Sequence, residues 1–125
     1  MSFELLAVWD GRGAYEYPHD IRDYVRMPTN TGSDGYLREP VFGGHSALQC
    51  LCAEAFEKNP AKIPAARMRE RLPQALDLIE AQELDLYDAS AEEVEAAKRN
   101  LRNFVECCER FEAQTGVAVE VYASQ

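Results

Sequence analysis

The chain has 125 residues, 46% of them hydrophobic and 28% charged, with a formal net charge of −9. That size and balance describe one folded domain spanning 1–125, and they exclude a disordered or collagen-like chain. No run approaches the roughly 18 apolar residues a membrane span needs, and Met1-Ser2-Phe3-Glu4 lacks the basic start of a secretory leader, so a cytoplasmic location is expected.

The stretch Phe3 to Trp9 is short and nearly all apolar, bounded by Asp10-Gly11-Arg12-Gly13. It reads as a strand buried on both faces, followed by a turn. Ala14 to Tyr17 suits a returning hairpin strand, and Pro18 ends it. Ile21, Tyr24 and Val25 have helical spacing over a segment too short to decide.

Met27 to His45 shows no periodicity and carries Pro28, Asn30, Gly32, Gly35, Pro40, Gly43 and Gly44. It also carries Tyr36, Leu37, Val41 and Phe42, which an unanchored linker would have no use for. An ordered, functional loop is expected, with a short strand near Tyr36 and Leu37.

Ser46 is placed to cap a helix from Ala47 to about Lys58, with Leu48, Leu51, Cys52, Ala55 and Phe56 on one face. Asn59-Pro60 stops it. Pro64 opens another helix over Ala65 to Arg71, and Pro73 is expected to break, kink or restart it before the apolar stripe runs on to about Leu86. Ser90 and Glu93 form a capping box for a last helix. Val94, Ala97, Leu101, Phe104, Cys108 and Phe111 make its buried stripe, Glu95–Arg99 and Glu106–Arg110 suit ion pairs on its outer side, and Gly116 ends it. Val117, Val119 and Val121 alternate with Ala118, Glu120 and Tyr122 as a half-buried strand. The pieces make an α+β domain, its N- and C-terminal strands in one small, mostly antiparallel sheet packed against three or four helices.

The charge is uneven. Residues 72–97 hold no base and eight acids: Asp77, Glu80, Glu83, Asp85, Asp88, Glu92, Glu93 and Glu95. A field of that sign repels nucleic-acid phosphates and anionic lipid, so no nucleic-acid or membrane partner is expected. Either the acids merely solvate a helix pair, or Asp77, Glu80, Glu83, Asp85 and Asp88 face a basic protein partner.

Candidate chemistry is sparse. Nucleophile elbow, phosphate loop, dinucleotide fingerprint and paired metal histidines are all missing, so no catalytic residue and no cofactor is assigned. Cys50 and Cys52 are two apart and Cys107 and Cys108 are adjacent, spacings that suit buried small hydrophobes better than a zinc site, so no metal is assigned. Of the two histidines, His19 lies in a turn; His45 follows Gly43-Gly44 at a helix start, where backbone amides could hold an anion. Tyr36 and Arg38, projecting to one side of an extended segment with Glu39 on the other, suit recognition; Arg38 and Glu39 could equally hold the loop down. Tyr36, Arg38, Glu39 and His45 are therefore the candidate binding residues.

Gly35-Tyr36-Leu37-Arg38-Glu39, Glu54-Ala55-Phe56, Ile63-Pro64-Ala65-Ala66, Arg69-Glu70-Arg71-Leu72-Pro73, Phe104-Val105-Glu106 and Thr115-Gly116 occur in that order. Together they resemble a family of small uncharacterised proteins of bacteria and their phages, over about residues 35–116. The resemblance implies a short apolar first strand, the Gly-Tyr-Leu-Arg-Glu motif, three helices and a last strand. It implies no activity, and His45 stands apart from the position at which the family's histidine would be expected. The leading expectation is a small cytosolic interaction module, an inhibitor or immunity-like partner of a basic protein. The alternative is a small-ligand or anion binder, or an enzyme, using loop 27–45. Oligomeric state is not legible.

Overall fold

The computed structural model describes residues 2–8, 35–40, 46–85 and 91–124. Expectations for the turn at 10–13, the hairpin strand at 14–17, the short segment at 21–25, most of loop 27–45 with His45, and His19, Asp88 and Ser90 lie outside them. The elements are β1 (Ser2–Val8), β2 (Tyr36–Pro40), α1 (Ala47–Leu51), α2 (Ala53–Glu57), β3 (Ala61–Ile63), α3 (Ala65–Asp85), α4 (Ala91–Thr115) and β4 (Val119–Ser124). The four strands form one sheet in the order β2-β1-β4-β3, every described pair antiparallel. This is the small α+β fold the pattern implies, with β1 and β4 at its centre.

Register sorts the side chains. Leu5 lies opposite both Leu37 and Ala123, Ala7 opposite Val121, and Ile63 opposite Val119. These residues share one face, because directly opposed antiparallel residues point the same way. That face builds the core with Leu48, Leu51, Met68, Leu72, Leu101, Phe104 and Cys108 of the helices. Phe3 adds an edge-to-face contact with Phe56, ring centres 5.4 Å apart. Glu4 and Leu6 point to the other face and are buried too, so β1 is covered on both sides, as its nearly unbroken apolar run implies.

Helices α3 and α4 run antiparallel. The Ala65 amide at the start of α3 donates to Glu112 Oε2 near the end of α4 at 2.8 Å, Arg69 meets Glu109, and Lys98 Nζ lies 3.2 Å from Glu80 Oε2. Val94, Leu101, Phe104 and Cys108 of the α4 stripe are buried, and Phe111 is half-buried against the same core. Gly116, at φ +74°, ends α4 in the left-handed conformation that a side chain would strain.

Three local expectations are replaced, and the alternatives at Pro73 narrow. The expected helix from 47 to 58 is two helices divided at Cys52, whose backbone (φ −127°, ψ 49°) is not helical. The Leu51 carbonyl instead accepts from Arg71 at 3.2 Å, while the Ala55 amide turns to the Cys52 carbonyl at 3.0 Å. Of the alternatives at Pro73, a break and a restart are excluded, because α3 continues through it. The proline is exposed while Met68, Leu72 and Ala75 are buried, so water can reach the carbonyl it leaves unbonded and core packing offsets the roughly 3 kcal/mol it costs. Strand β3 has no signature in the sequence, since three residues between two prolines show no period. Beside it, after the cis Asn59–Pro60 bond, the Asn59 side chain pairs with both the N–H and the C=O of Ala123 at 3.0 Å, continuing the β4 ladder with an amide side chain. Lastly, Val117 is 51% exposed and the final strand begins at Val119.

Candidate functional site

The Gly-Tyr-Leu-Arg-Glu segment resolves residue by residue. Gly35 has φ +89°, and its carbonyl accepts from the Ala7 amide at 2.8 Å, starting the pairing of β2 with β1. Tyr36 lies opposite Leu6 and Arg38 opposite Glu4, on the face turned from the helices, while Leu37 enters the core. The alternation places Tyr36 and Arg38 together and Glu39 opposite, as an extended segment requires. Tyr36, however, is only 1% exposed, so it is a buried ring and not the expected exposed half of a Tyr–Arg pair; Arg38 alone is exposed.

Glu39 takes the alternative, structural role, with Ser46 and α1 as its partners in place of Arg38. It is buried, and its two oxygens accept three hydrogen bonds: from Ser46 Oγ at 2.5 Å, from the Ala47 amide at 2.8 Å and from the Leu48 amide at 3.2 Å. Ser46 Oγ in turn accepts from the Gln49 amide at 3.0 Å. The first amides of α1 have no partner within the helix and attract negative charge. An anion does sit at this helix start, and it belongs to the chain itself. With its acceptor oxygens so engaged, Glu39 is a structural cap tying β2 to α1.

A second carboxylate does similar work. Glu54 Oε1 accepts from Arg71 at 2.5 Å, and Oε2 accepts from Arg71 at 3.1 Å and Arg67 at 2.7 Å. The Arg71 guanidinium holds the Glu54 carboxyl down to about 2, against a partial desolvation that pushes the other way. A depressed carboxyl contributes stability that is present above its unfolded value and lost as pH falls toward its folded one. The acid limb of the stability profile between about pH 4.5 and 2 should therefore flatten in Glu54→Gln. Urea midpoints measured across that range check this; a variant and parent with parallel profiles would show that the pair contributes nothing.

The acidic segment maps onto the α3–α4 hairpin. Asp77, Glu80, Glu92, Glu93 and Glu95 are exposed; Glu83 and Asp85 lie in the last turns of α3, which hold no base. Lys98, half-buried, reaches Glu80 at 3.2 Å and Glu95 at 3.7 Å. Glu95 thus pairs three residues on rather than with the anticipated Arg99. The role of Lys98 comes from the neighbouring helix, and its three-residue spacing from Glu95 is the one local signal of it.

Cys52 and Cys108 are buried, and Cys50 and Cys107 are half-buried; all four are free thiols. Burial pushes Cys52 and Cys108 up, away from the reactive thiolate. A thiol reagent applied to the native protein should modify Cys50 and Cys107 first and reach the other two only on unfolding. Mass spectrometry of time points checks the order; early labelling of Cys52 would contradict the burial. No group of three or more metal-ligating side chains occurs among the described residues, and none of the described helices is long and apolar enough to cross a membrane.

No family model matches the chain, and no curated protein or solved structure shows detectable similarity to it.

Proposed function

We propose that the chain is an interaction module of the cytoplasm that docks a basic protein, in the manner of an inhibitor or immunity protein, through the acidic end of its helical hairpin. One observation carries this reading. At the C-terminal end of α3, where the helix dipole is already negative, the chain places Asp77, Glu80, Glu83 and Asp85 and no base in the last turn. Of these, Glu83 and Asp85 lie in the last turn, where an acid costs about 0.3–1 kcal/mol, a penalty that a cationic partner surface would reverse. Acids on α4 extend the same negative surface, and fields of one sign accelerate docking of the opposite charge.

The test pairs binding with stability. Neutralising Asp77, Glu83 and Asp85 together, with Glu80 kept as the partner of Lys98, should leave the melting temperature unchanged or higher. It should also weaken capture of a basic protein at least about tenfold at low ionic strength. Capture that is insensitive to salt, or that survives neutralisation, would reduce the acids to a solubilising surface.

The resemblance to small bacterial and phage proteins fits the same proposal in one respect. In this chain the Gly-Tyr-Leu-Arg-Glu motif supplies a turn, two buried side chains and a helix cap, so sharing it would mark a shared fold and leave the exposed surfaces to set the partner. A ligand-binding reading keeps Arg38 as its exposed contact among the described residues.

A further inference from the structure

We draw no further inference here: the strongest candidate, the row of Glu4, Tyr36 and Arg38 on the sheet face turned away from the helices, carries nothing because the described residues do not show what covers it.

Discussion

Phe104→Ala should destabilise the protein by about 3–5 kcal/mol, the cost of removing a buried aromatic ring and leaving a cavity. Phe104 is fully buried on α4, in the cluster that also holds Leu5 and Leu37 of the sheet and Met68 and Leu72 of α3. It therefore stands where sheet and both long helices converge, and a partial collapse around it would disturb all three. A loss of that size is a large share of the 5–15 kcal/mol typical of a whole domain. Urea unfolding should show a lower midpoint with little change in slope. A loss under about 1 kcal/mol would mean the site can refill itself, and the helices would then have to pack more loosely than described.

Glu39→Ala should cost about 2–4 kcal/mol, more than an ordinary exposed cap, because three buried donors lose a charged acceptor at once. Glu39→Gln keeps one acceptor oxygen and should cost less. The neighbouring Arg38→Ala, at an exposed position, should stay within about 0.5 kcal/mol of the parent. Hydrogen exchange gives the sharper measurement. In Glu39→Ala the Ala47 and Leu48 amides should lose protection before those of α4 do, since the cap holds only the start of α1. Equal losses at Arg38 and Glu39 would place the role of the segment in its backbone pairing and not in the cap.

These two residues differ in how far they could be read beforehand. Phe104 is one of a series at three- and four-residue steps, and that period is a property of the helix itself. The same holds for β1, whose unbroken apolar run implies burial on both faces, and for the valines of β4. Ser46 as a cap and Gly116 as a stop follow from local backbone geometry, and both are present. The sign of the α3–α4 surface needed only a count of charges.

Long-range pairing decided the rest. Glu39 caps an amide eight residues away and Glu112 one 47 residues away, separations at which no local pattern exists. Arg71 takes the Leu51 carbonyl from twenty residues off, at the point where an apolar stripe continuous in sequence divides into two helices. Pro73 stays helical because it faces solvent while its neighbours face the core. Strand β3 exists because β4 offers it an edge. In each case the local preference is worth about a kilocalorie or a few, and a buried hydrogen bond or a packed side chain from elsewhere in the chain outweighs it. The candidate site divides along the same line. Tyr36 and Arg38 look like a recognition pair when only their own loop is considered; in the fold Tyr36 is a buried ring on the sheet face away from the helices, Arg38 stays exposed, and α1 makes Glu39 a cap.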